Sequence, residues 1–318
     1  MAFSSFRWRR QQFPTNHRLD FRVTVYISDK QSEGIKFSQL MEAHQILVYE
    51  RSNRVVYELD GKHILKIGKD NPNEAETMKF VRENTTLPVP EVIDYWTYDG
   101  KTYILMEKMP GITLESVWST LGDDDKRSIM SELRRYVEEI RKIEFNHIGA
   151  VNGNLTLDYR ISSDLFEPLY SLQDMYKLRF SQYPLEGIYA DYAAEERKFD
   201  EVKFVLCHTD LGPYNILVED GRITAILDWE GSGCYPEFWE YSINIFHRGY
   251  GKEWKNVLED ILKDRIFDDN IKRLEWFMFA ASVFTNIFTD DEFRQETERL
   301  ALDIVTGKKE IEFRGKPI

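Results

Sequence analysis

The segment Val205 to Asp220 reads VLCHTDLGPYNILVED. It sets Asp210 two residues after His208 and Asn215 five residues after Asp210, between two apolar runs. Moving a phosphoryl group to a hydroxyl needs few protein groups. One must orient or deprotonate the attacking hydroxyl, oxygen ligands must hold a metal ion, and a cation must sit on the nucleotide phosphates. The pattern H-x-D-x-x-x-x-N supplies the first two. Asp210 is placed to accept the hydroxyl proton, and Asn215 offers an amide oxygen to Mg²⁺, a hard cation that prefers oxygen. A second metal-binding acid should then follow at the end of a hairpin, and Asp228 of AILDWEG stands thirteen residues beyond Asn215. His208 joins the catalytic set, more as a group bonding backbone near the loop than as a proton carrier. Glu230 reads as a solvated or structural acid in preference to a third metal contact.

The remaining cation lies upstream. Lys66 closes the apolar strand HILKI, and an ammonium there requires a counter-charge or a ligand. Two acids on the next helix, Glu74 and Glu76, are candidates. Glu76 is preferred because it precedes Leu87 of LPVP by eleven residues.

The elements that must position these groups fall into two kinds. Up to Pro110 the chain is rich in strands: ILVYERSN, then Val55 to Leu59 and His63 to Ile67 around Asp60-Gly61, with a second Asp-Gly turn at Asp99-Gly100. Between the hairpins NPNEAETMKFVREN predicts a helix capped by Asn73, ended by Pro88 and Pro90. From Gly111 onward helices dominate. Ile129, Leu133, Tyr136, Val137 and Ile140 recur at helical spacing behind the acids Asp123 to Asp125. DLFEPLYSLQDMYKLRF, Trp239 to Lys263 and RLEWFMFAASVFTNIF also read as helical. Short strands, Phe204 to Cys207, Ile216 to Val218 and Ile223 to Leu227, interrupt them, the last pair joined by Asp220-Gly221.

Of 318 residues, 42% are hydrophobic, enough for sizeable cores and unlike a disordered chain. No apolar run reaches the ~18 residues of a membrane span. The Arg-rich opening reads as a basic arm in preference to a transit peptide. Cys207 and Cys234 make no disulfide framework and no metal motif, which fits a reducing cytoplasm. Charge is uneven. Met1 to Pro110 carry 16 basic and 15 acidic residues, leaving 26 basic and 40 acidic of the chain's 42 and 55 for the rest. That excess disfavours nucleic acid as a partner and suits a cationic ligand.

Taken together the residues resemble the aminoglycoside phosphotransferase family, part of the protein-kinase-like superfamily. The resemblance rests on Lys66, Glu76, LPVP at 87–90, the hinge-like ILMEKMPG at 104–111, HTDLGPYNILV at 208–218 and LDWE at 227–230. It runs on through YPEFWEY at 235–241, an ending like that of the fungal branch, and covers Leu47 to Phe246. It implies an α+β, bilobal, protein-kinase-like fold: an arm over 1–44, a small antiparallel sheet with one helix over 45–110 for the nucleotide, and a larger, mainly helical lobe over 111–318. It implies ATP (GTP as the alternative) with Mg²⁺, and a small-molecule hydroxyl acceptor of aminoglycoside, choline or other alcohol type. Ser52 and Asn53 would lie near the phosphates, Glu107 and Met109 at the hinge beside the base, and Glu240 beneath the catalytic loop as a buried brace. A monomer or dimer is expected. A protein Ser/Thr kinase and a silent nucleotide-binding protein are the competing readings. Three positions depart from the family: Thr209 replaces a Gly, Trp229-Glu230 follows the metal acid, and ERSNRVV lacks glycine where the chain covers the nucleotide.

Overall fold

The computed structural model describes residues 46–51, 54–69, 71–181, 202–246 and 250–262, together with the paired segments Glu312–Phe313 and Lys316–Pro317. A five-stranded antiparallel sheet comes first. It comprises β1 (Ile46–Arg51), β2 (Arg54–Glu58), β3 (His63–Lys69), β4 (Val92–Tyr98) and β5 (Lys101–Glu107), in the order β1-β2-β3-β5-β4. The sequence explains its turns. Asp99 and Gly100 form a two-residue loop with φ of 51° and 66°, and Asp220 and Gly221 another with 50° and 71°. Positive φ at both positions makes a type I′ turn, whose twist matches that of the strands it joins. In the longer turn after β2, Asp60 Oδ1 accepts the N–H groups of Lys62 and His63 at 3.0 and 2.9 Å.

Strand alternation then fixes where Lys66 points. Leu65 packs with Leu59, Tyr103 and Leu105 on the outer face of the sheet. Ile64, Ile104 and Met106 face the main core, where α1 (Asn73–Asn84) lays down Ala75, Met78 and Val81. Lys66, two residues from Ile64, shares that inner face. The expected Asn73 cap is corrected: Pro72 is the N-cap, Asn73 begins the helix, and its amide donates to Leu155 O at 2.9 Å.

Past Pro110 the chain forms β6 (Ile112–Thr113), α2 (Leu114–Val117), α3 (Asp123–Ile140), β7 (Glu144–Phe145), α4 (Leu172–Ser181) and β8 (Phe204–Cys207). Then come β9 (Ile216–Glu219), β10 (Arg222–Ile226), β11 (Gly233–Pro236), α5 (Trp239–Phe246) and α6 (Lys252–Leu262). The stripe expected of α3 is buried as predicted. Residues 164–171 are not helical, contrary to expectation: Phe166 and Leu169 instead bridge to Thr156 and Ile148, and the helix starts at Leu172. Trp239 to Lys263 is helical as expected, holding α5 and α6 among its described residues. RLEWFMFAASVFTNIF and the arm over 1–44 lie outside the described residues.

Two three-stranded sheets position the chemistry, ordered β10-β9-β6 and β11-β8-β7. The loop 208–215 runs from β8 to β9, and the loop 227–232 runs from β10 to β11. Because β8 pairs with β11 and β9 with β10, the two loops span the same gap side by side. Among the described residues no helix is long and apolar enough to cross a membrane.

Candidate active site

The two loops are tied together at both ends. Leu227 N–H donates to Asn215 O at 2.8 Å at one end. At the other, Thr209 Oγ1 donates to Gly231 O at 2.9 Å. Gly231 is required by this approach, since a Cβ there would meet Thr209 Oγ1 at 2.8 Å. Thr209 has φ +72°, a region most side chains avoid, which accounts for glycine being usual at this place in the family. The strained conformation is held from below. Glu240, fully buried on α5, accepts His208 N–H at 2.6 Å and Thr209 N–H at 2.9 Å, and Asn244 Nδ2 donates to it at 2.7 Å. Asn244 Oδ1 in turn accepts Leu211 N–H at 3.0 Å, and Trp254 of α6 donates its indole N–H to Leu211 O at 2.8 Å.

His208 is one of these holding groups. Its Nε2 lies 2.9 Å from Leu227 O, and its Nδ1 accepts Asp210 N–H at 3.2 Å. A carbonyl on one side and an N–H on the other put the proton on Nε2. Both ring nitrogens are bound to backbone, so His208 positions the loop and does not face an acceptor.

Asp210 is half-buried. Its Oδ2 accepts Asn215 Nδ2 at 3.0 Å, and its Oδ1 accepts the hydroxyls of Tyr214 and Tyr250, each at 2.7 Å. Asn215 Nδ2 also donates to Asp210 O at 2.9 Å, which leaves the carbonyl Oδ1 as the amide atom to offer a cation. Burial and the nearby Asp210 charge hold both tyrosines well above their ordinary pKa, so they are donors.

Opposite, Lys66 Nζ contacts Glu74 Oε1 at 2.7 Å and Asp228 Oδ1 at 2.8 Å. The preferred partner, Glu76, is corrected here: its carboxylate takes the Tyr95 hydroxyl instead. Residues two apart on a helix differ by roughly 200° around the axis, so the two glutamates cannot share a face. Glu74 lies on the buried stripe with Met78 and Val81. Burial lowers the pKa of Lys66, but Glu74, then Asp228 and Glu230, outweigh it and hold the ammonium above its usual value. Burial raises Glu74 to about 7 against the pull of Lys66. Asp228 pays for burial too, yet Lys66 and Arg54 lower it overall.

Glu74, Asp228 and Glu230 offer carboxylate oxygens within 4.8 Å of one another. This all-oxygen donor set fits a hard divalent cation, and Asn215, whose backbone carbonyl accepts the N–H of Leu227, would add its amide oxygen. Glu230 is not merely solvated, because Arg54 Nε donates to it at 2.7 Å. Glu107 and Met109 lie where the chain leaves β5; Glu107 N–H donates to Glu91 O at 2.9 Å. Ser52 and Asn53 lie outside the described residues. Cys207 and Cys234 are fully buried, and burial raises both thiols.

Sequence reasoning did not reach Arg160. Its guanidinium pairs with buried Asp158 at 2.7 Å, donates to Gly231 O at 3.0 Å and reaches Thr209 O at 3.5 Å, spanning both loops. The only signal was an acid and an arginine two apart in a segment without a motif. Tyr214 lay inside the quoted motif but was not assigned, and Tyr250 is forty residues from Asp210.

Comparison with known proteins follows the same lines. Over 92 residues the chain is 35% identical to a subtelomeric hrmA-associated cluster protein of Aspergillus fumigatus; the match spans 28% of this chain and 18% of that protein. It is 24% identical over 210 residues to an aminoglycoside 3'-phosphotransferase of Enterococcus faecalis, spanning 57% of this chain and 74% of the relative. Among solved structures, a thermostable mutant of aminoglycoside phosphotransferase APH(4)-Ia in ternary complex with AMP-PNP and hygromycin B superposes with a TM-score of 0.52. There the identity is 16%, over 83% of this chain and 92% of that one, a likeness of fold. The profile of the phosphotransferase enzyme family matches residues 49–277, which contain every side chain of the site just described. The chain therefore belongs to the phosphotransferase enzyme family, with its α+β kinase-like fold.

Proposed function

We propose that this chain moves the γ-phosphate of ATP to a hydroxyl of a small molecule. The observation that carries the reading is the meeting of Lys66, from the first sheet, with Asp228, from the loop beside Asp210, at 2.8 Å. Lys66, held by Glu74, neutralises nucleotide phosphate. Asn215 and Asp228 would hold Mg²⁺, which supplies charge neutralisation to the phosphates. Asp210 takes the proton of the acceptor hydroxyl as that oxygen bonds to the γ-phosphorus and the bond to ADP breaks. An acceptor reaches Asp210 beside Tyr214, the more exposed of its two phenolic partners. Glu107 and Met109 would lie beside the nucleotide base. The acidic excess of the second part supports a cationic acceptor, of aminoglycoside or amino-alcohol type, by attraction over the Debye length.

The test is ADP release from Mg·ATP or Mg·GTP in the presence of pooled amino sugars, amino alcohols and peptides, with mass spectrometry of the product. A phosphorylated small alcohol is the expected product. Its formation should fall by ~10²–10⁴-fold in Asp210→Asn, with nucleotide affinity nearly unchanged. Transfer to peptides alone, or nucleotide binding without any turnover, would overturn the reading.

A further inference from the structure

Arg54 has no place in the proposed chemistry, yet it reaches the centre of the site. Register pairs Val56 with Lys66, so Arg54, two residues before Val56, projects from the same inner face as Lys66. The two cations share one acid: Lys66 on Asp228 Oδ1, Arg54 Nη1 at 3.8 Å from Oδ2. They differ in how firmly they are seated. The Lys66 side chain is 11% exposed and that of Arg54 is 40%. An ion pair this open contributes little to stability and exchanges readily.

We propose that Arg54 is a nucleotide-phosphate ligand, parked on Glu230 and Asp228 until the nucleotide arrives. The inference rests on the nucleotide reading above. Three acids within 4.8 Å repel one another, and Lys66 and Arg54 offset them. Phosphates entering beside Lys66 give the guanidinium a more highly charged partner whose geometry its planar fork matches. The covering turn ERSNRVV has no glycine to let backbone close on phosphate, and the side chain of Arg54 stands in for that contact. Arg54 thus exchanges carboxylates for phosphates as the cleft fills.

Equilibrium binding of ADP and of adenosine to the full chain, in EDTA, tests this without turnover. Arg54→Ala should weaken ADP by roughly 10-fold or more and leave adenosine unchanged; Arg54→Lys should fall between. Glu230→Gln, which releases Arg54, should tighten ADP by a few-fold, and that gain should vanish when combined with Arg54→Ala. The inference is overturned if Arg54→Ala holds ADP within about two-fold of wild type, if adenosine weakens in parallel, or if the Glu230→Gln gain persists without Arg54. A wild-type chain that binds neither ADP nor adenosine overturns the proposed function itself, and this inference with it.

Discussion

The two halves of the site are held by different means. Lys66 is placed by a strand ladder: seven consecutive partners on β5 fix β3, and alternation decides the face. Asp210 and Asp228 sit on loops with no ladder of their own, and the backbone there is partly in disfavoured geometry, φ +72° at Thr209 and +62° at Asp228. What holds the loops is a set of buried polar side chains from distant elements: Glu240 and Asn244 on α5, Trp254 on α6, Arg160 before α4. A ladder tolerates change in any one side chain because the backbone carries it. A bracket fails when one of its carboxylates is lost.

That contrast can be broken most severely at Glu240. In Glu240→Gln an amide N–H₂ must face backbone N–H donors, which costs charge-assisted bonds of about 1.5–3 kcal/mol each. Turnover should drop by at least ~10²-fold and the melting temperature should fall. Wild-type turnover in this variant would show that the loop holds itself. A smaller effect belongs to the sheet side. Glu74→Ala leaves Lys66 in place on its strand but unpaired on one side, so the KM for nucleotide should rise and kcat fall by about tenfold. Glu76→Ala, which removes only the Tyr95 contact, should stay within about two-fold. Equal losses in both would refute the pairing seen here.

The smallest effect is one of stability and depends on pH. Burial raises Asp158, but Arg160 outweighs it and holds the carboxyl below its ordinary value of 3.8. A depressed carboxylate stabilises the fold above its unfolded pKa and loses that contribution as pH falls through the folded one. Asp158→Asn should therefore cost about 1–3 kcal/mol at neutral pH. The gap to wild type should close as pH drops below the aspartate range in denaturant titrations. A gap independent of pH would mean packing, not charge, is what Asp158 contributes.

The same contrast decides what could be read in advance. Asp-Gly turns and strand period are local signals, so the hairpins and Lys66 were legible. The adjacency of Asp210 and Asn215 was legible because their spacing within one loop is itself the geometry, and Asp228 is reached through the hairpin that follows. The eleven-residue distance to Leu87 favours Glu76, but helical period favours Glu74, whose i+4 and i+7 neighbours, Met78 and Val81, mark the buried stripe. The arginines were hidden for another reason. Arg54 and Arg160 act across the fold on carbonyls and carboxylates, and no sequence period records that. The helix expected before Leu172 failed because Phe166 and Leu169 satisfy their backbones by bridging to strand-like partners.

One buried ring gives the site an optical property. Trp229, next to Asp228, is fully enclosed; its indole N–H is bonded to Ile226 O at 2.9 Å, and the His208 ring meets it edge-on with centroids 4.6 Å apart. A shielded indole emits at shorter wavelength than a wet one. Trp229, on one loop, packs against His208, on the other, so its emission should follow the packing between the two loops. Emission lost in Trp229→Phe isolates its share of the chain's signal.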